Sequence, residues 1–420
     1  MSRSLIAFLF LSSFVVAQTP KDVRAVARQG QNAVPTVGQY LNSASVDTRV
    51  EAVKQLIILG GKNTIDPLIR GTHDSDPEVQ IRATDGLVNY YLPGYVRTGL
   101  GSSLIRAGAT IKAKLSDSND QIIDPYVIVR SDVITALGQL ARGGSDMTSR
   151  ANACRAVGIL RGRAAVPDLV EALRSKDNNV MYESLAAIEK IRDPAAGPQI
   201  AYLLRDLDDR VQSTAIETVG ILHTTDALPA LRSIIGSPRN NKSERAALAA
   251  LAMMPEPADR DLLVRELVAK DDKLRADAAE GLGRLGNPAD VPLLEKTWHD
   301  EEKMLPRLAA AFALLMNGHL ELSEESPFRY LINTLNQASY KDVASAYLVE
   351  AARRKPVLDA LYAPLDQGTR DEKIQLARVL AASGDQASVP YLDKISRDPD
   401  KDVAQEGLRT LRSLKARLNI

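Results

Sequence analysis

The residues equipped for chemistry are few and scattered. The histidines are His73, His223, His299 and His319, and Cys154 is the single cysteine. A structural or catalytic metal needs three or four such ligands gathered at short, recurring spacings. Nucleophilic catalysis asks for a Gly-x-Ser-x-Gly elbow or a cysteine beside a histidine, and phosphate binding for a Gly-x-x-x-x-Gly-Lys loop. None of these patterns occurs. Gly99-Leu100-Gly101 lacks the third glycine of a dinucleotide loop and follows no credible strand. Carboxylates are abundant, but they stand at turns and helix starts, where capping accounts for them. Cys154 lies in Ala153-Cys154-Arg155-Ala156-Val157-Gly158, the small-residue centre of a predicted helix, and reads as a buried apolar side chain. No catalytic residue, metal site or cofactor is assigned on this basis.

One stretch is denser in binding chemistry. Tyr90, Tyr91, Tyr95 and Tyr126, four of the 12 tyrosines, lie in or beside residues 93–126. Arg97, Arg106, Lys112 and Lys114 follow one another there with no acid until Asp117. Tyrosine and arginine are favoured anchors for a protein partner, and tyrosines exposed on one surface would also suit a cell-envelope polymer. These eight residues form the candidate binding site. At a membrane surface four cations contribute about 4 kcal/mol in total, a millimolar association on the usual affinity scale. Asp117, Asp120 and Asp124 lower it further, so membrane contact is marginal. The alternative is structural: Leu100, Leu104, Ile111 and Leu115 share one helical face and would pack on neighbours, with the tyrosines covering the join.

The rest of the chain repeats. Val166-Pro167, Gly197-Pro198, Leu228-Pro229, Arg260-Asp261 and Val291-Pro292 recur every 31 or 32 residues, a solenoid period. In the type unit, Pro167 suits a first helical turn, and Val166, Leu169, Val170 and Leu173 make one apolar stripe. Lys176-Asp177-Asn178-Asn179 is a turn with N-cap chemistry. A second helix, Val180 to Ile191, then turns Met181, Leu185, Ile188 and Ile191 inward, and the residue before Pro194 ends the unit. The same Asp-bearing turn recurs at Asp74–Val79, Asp208–Val211, Asp271–Leu274 and Asp398–Val403.

A helix, an Asp-bearing turn and a helix with small residues at its centre resembles the HEAT repeat. The short 31-residue form is similar to the bacterial HEAT-like repeats also found in the phycobilin lyases. The resemblance covers most of residues 35–420 and implies an all-α, right-handed α-solenoid of about eleven HEAT-like hairpins with one irregular insertion. Repeat consensus residues are packing residues, so lyase activity is implied by repeat type alone, and no residue set singles out a bilin site. The deoxyhypusine hydroxylases, another HEAT family, hold iron through His-Glu pairs. Here the nearest matches are His73-Asp74 and His299-Asp300.

Residues 1–17 read as a secretory signal peptide, with Arg3 before the apolar run Leu5 to Val16 and cleavage near Ala17. Residues 18–34 are a lead-in, and 35–420 the solenoid, interrupted at about 93–126. Without the leader, 52 basic residues face 53 acidic ones. Such a chain has no long-range attraction for nucleic acid. No later apolar run is long enough to span a bilayer. Leu408 to Ile420 is expected to cap the array, with Arg409, Arg412, Lys415 and Arg417 on its wet face. The expectation is a non-catalytic, exported (periplasmic or extracellular) scaffold for protein partners. A cell-envelope polymer binder and an enzyme with a site in the solenoid groove are the alternatives.

Overall fold

The computed structural model describes residues 19–96 and 121–420. Among them the chain forms α-helices joined by turns and short 3-10 segments. The helix starts follow from the sequence. Asp76, Asp177, Asp208, Asp271 and Asp400 each precede a helix and accept hydrogen bonds from two of its first backbone N–H groups. Those donors have no partner within the helix, so the carboxylates satisfy them. In the type unit, Val166–Ala172 is followed by Asn178–Ile191, whose Leu185 is fully buried.

Eleven such hairpins succeed one another among the described residues, behind a lead-in helix Pro20–Ala27. The second helices form one continuous row. Met147–Ile159 packs on Asn178–Ile191, Asp209–Ile221 on Asn241–Met253, and Asp272–Leu285 on Met304–Met316. Small residues set their distance. A Cβ on Gly283 would stand 2.5 Å from the Ala313 Cα, so only glycine permits that approach. Ion pairs tie neighbouring repeats together, as from Arg49 to Asp74 at 2.7 Å, Arg155 to Glu183 at 2.8 Å and Arg275 to Glu301 at 2.7 Å.

The insertion interrupts the sequence period but not the stack. Pro77–Tyr91 packs directly on Met147–Ile159. Gln80 accepts from the Ser145 backbone and hydroxyl, and Asn152 donates to Asp85. Ile123 is buried, and its N–H donates to the Ile159 carbonyl at 3.0 Å.

One element differs from expectation. The repeat containing Pro198 has 3-10 segments, Pro194–Gln199 and Ala201–Arg205, in place of a first α-helix. Pro194 and Pro198 stand close together and each removes a backbone donor, which favours the tighter, shorter turn. The last helix, Lys401–Leu418, keeps Arg409, Arg412, Lys415 and Arg417 exposed, as expected. Arg409 pairs with Asp124, and Arg417 donates to the Ala381 and Gly384 carbonyls. No helix of the described residues is long and apolar enough to cross a membrane.

Candidate functional site

The second helices of the last two repeats, Arg370–Ser383 and Lys401–Leu418, face the inner row of the middle repeats. Between them lies a cavity of about 860 Å³, within the range of small-molecule sites. The middle repeats contribute Ala186, Glu189, Ile191 and Ile221; the C-terminal helices contribute Ala381, Ala382, Thr410 and Ala416. Ile122 and Pro125 close one rim. Cations dominate the charged lining. Arg161, Lys190, Arg192, Arg378, Arg409 and Arg417 face only Asp124, Glu189 and Glu406.

The carboxylates are largely engaged. Arg409 holds Asp124 at 2.7 Å and Arg378 holds Glu406 at 2.8 Å. Burial works upward on the Asp124 carboxyl, but hydrogen bonds from Arg409 and Tyr126 overcome it and set the group below the usual range. Glu189 behaves oppositely. Burial pushes its carboxyl up to about 7, against a 2.9 Å hydrogen bond from the Thr218 hydroxyl. A carboxylic acid poised near neutrality in a cavity can hold or release a proton.

Arg161 and Arg192 are different. Neither guanidinium is within ion-pair reach of a carboxylate among the described residues, and both backbones are left-handed, with φ of 49° and 56°. His223, one repeat further, has φ 52°. These three residues occupy the position just past the inner helix, where other repeats carry Gly60, Gly286 and Gly318 at positive φ. A left-handed backbone costs a side-chain-bearing residue about 1–2 kcal/mol, and attraction of a cation to the helix C-terminus offsets about 0.3–1 kcal/mol of it. Burial and the nearby Arg192 charge both push the Arg161 guanidinium below its usual range. Burial and then Arg284 do the same to the His223 imidazole.

The comparisons with known proteins agree with this architecture. A family model described as HEAT repeats matches residues 134–201. Phycocyanobilin lyase subunit alpha of Nostoc sp. (strain PCC 7120) is 30% identical over 179 residues, which are 38% of this chain and 65% of that protein. This chain carries HEAT repeats at residues 134–201. It spans just under two thirds of that relative's length. Among solved structures, the complex of CpcE and CpcF of phycocyanin lyase from Nostoc sp. PCC 7120 aligns at 22% identity and a TM-score of 0.37, covering 64% of this chain and 93% of that one. Importin beta aligns at 13% identity and a TM-score of 0.38, covering 91% and 57%. The likeness to a lyase subunit overturns the expectation of a purely non-catalytic scaffold.

The tyrosines of the expected binding segment are integrated into this HEAT array. Tyr90, Tyr91 and Tyr95 are half-buried against the core, which removes them as open stacking platforms. Tyr90 and Tyr91 meet edge-on at 4.9 Å, and the Tyr91 hydroxyl accepts from the Arg130 N–H. Burial raises the Tyr95 hydroxyl well above its ordinary range. Tyr126 is exposed and donates to Asp124. Arg97, Arg106, Lys112 and Lys114 lie outside the described residues. Cys154 is fully buried, its thiol pushed up to about 12. Among the described residues no group of three or more His, Cys, Asp or Glu side chains could hold a metal. Sequence reasoning passed over Arg161, Arg192, Arg378 and Glu189. A signal for two was present: Arg161, Arg192 and His223 recur at intervals of 31 residues, in the helix-end position that glycine takes elsewhere.

Proposed function

We propose that this chain is a lyase-type subunit that shelters an open-chain tetrapyrrole, a bilin, in the cavity between its middle repeats and its C-terminal helices during attachment of that chromophore to a protein. The observation that carries the reading is the cavity lining: apolar walls of isoleucine and alanine with an excess of arginine. A bilin is a flat apolar body bearing two carboxylates, so both parts of the lining have a counterpart on the ligand. The relative's name supplies the ligand class. Its description as a subunit, and the two-component phycocyanin lyase complex among the similar folds, support a companion protein and an acceptor protein as partners. Glu189, whose carboxyl burial pushes up to about 7, is the group proposed to hold or move a proton at the ligand. Export behind the residue 1–17 leader is part of the proposal.

The test is an absorbance titration with biliverdin. The native chain is expected to shift the chromophore's long-wavelength band with one equivalent bound. Ala382→Trp, an exposed position on the cavity wall, is expected to fold normally and to lose the shift. An unaltered spectrum with the native chain would overturn the reading.

A further inference from the structure

Arg161 and Arg192 are unlike the other cations of the cavity. Arg409 and Arg378 spend their charge on Asp124 and Glu406, and Arg417 on backbone carbonyls. Arg161 and Arg192 have no such partner among the described residues, yet both line the cavity. They occupy the same place in successive repeats, so their backbones stand roughly 8–10 Å apart, the separation of packed helices. Each also holds a left-handed backbone, at a position that glycine fills without strain in three other repeats. A strained, side-chain-bearing residue kept where glycine would fit is a mark of function.

We propose that Arg161 and Arg192 form a clamp for the two carboxylates of a single elongated dianionic ligand; only the ligand's identity as a bilin rests on the function proposed above. One guanidinium receives each carboxylate through paired N–H donors, the geometry in which arginine is strongest. The apolar body then lies along Ala186, Ile191 and Ile221, towards the facing alanines of the C-terminal helices. Glu189 would repel a dianion if fully ionised, and the burial that raises its carboxyl to about 7 lessens that repulsion. His223 continues the row by one repeat.

The left-handed backbone makes the clamp separable from the fold. Arg161→Gly and Arg192→Gly remove the charge and relieve the backbone together, so both variants should melt at or above the native temperature. Biliverdin and its dimethyl ester are titrated into the native chain, each single variant and the double variant. The expected result is native preference for the diacid, a loss of about ten-fold or more per single substitution, and no preference between diacid and ester in the double variant. Undiminished biliverdin binding by the double variant, or an equal fall for diacid and ester, would overturn the clamp while leaving the tetrapyrrole reading in place. Sebacate, an elongated dicarboxylate without a chromophore, separates the other case. If the native chain takes neither tetrapyrrole but binds sebacate through both arginines, the clamp stands and the bilin reading falls. Failure of sebacate as well overturns both.

Discussion

Asp124 and Arg409 are 285 residues apart in sequence and in contact in the fold, with the Arg409 guanidinium donating to the Asp124 carboxylate at 2.7 Å. This pair ties the end of the insertion to the last helix. It stands at the rim of the cavity and links its two sides. Its contribution is to shape, since half-exposed ion pairs add at most about 1 kcal/mol.

Arg409→Ala should therefore leave the melting temperature nearly unchanged and loosen the closure. Spin labels at Ile122 and Arg412 would report a broader and longer distance distribution in the variant. An unchanged distribution would show that packing alone, and not this pair, holds the two ends together.

The close approach of the inner helices gives a stability prediction. Gly283→Ala would place a methyl group 2.5 Å from the Ala313 Cα and 2.8 Å from its Cβ. Backbone on the other side cannot yield as a flexible side chain can, so the helices must separate. The expected cost is about 1–3 kcal/mol, read as a lower urea midpoint. A midpoint equal to the native value would mean that the two helices are further apart than described.

Glu189 gives a pH signature. Its folded carboxyl is raised by burial to about 7 from an ordinary value near 4.5. Between those values the folded chain holds a proton that the unfolded chain has released, so stability falls as pH rises through this window. The contribution is complete below the unfolded value and lost above about pH 7. Glu189→Gln should flatten the decline in stability between pH 5 and pH 8 relative to the native chain. Parallel pH profiles for the two proteins would place Glu189 in an ordinary aqueous setting.

The proposed leader predicts a processing event. Residues 1–17 carry a short apolar run that ends in Val15-Val16-Ala17. Expression in an exporting bacterial host should yield a chain beginning at Gln18. Intact-mass measurement checks this, and recovery of the full-length chain in the cytoplasm would contradict it.

How much of this was legible in the sequence differs between fold and site. The repeat was legible because its cause is local: Asp177 caps the helix that follows, and Leu185 and Ile188 return at the helical period. Repetition of that local logic along the chain builds the array of eleven hairpins. The cavity was not legible, because it depends on accumulated curvature. Nothing near Arg192 in sequence says that Ala382 and Arg409 stand opposite it. The concentration of tyrosine and basic residues near the insertion drew attention for a sound reason, yet Tyr95 is turned into the stack beside Arg155. Residue type alone does not tell a binding aromatic from one that seals a join. The left-handed trio was visible as a 31-residue recurrence, but its meaning required the backbone angles.

The most direct measurement is hydrogen exchange of the whole chain with and without saturating biliverdin. The account predicts slower exchange in two separated stretches, Asn178–Ile191 and Lys401–Leu418, the two walls of the cavity. The first helices of the repeats, such as Leu228–Gly236 and Val291–Asp300, should be unchanged. Protection confined to those first helices, or no protection anywhere, would contradict a chromophore held between the middle repeats and the C-terminal end.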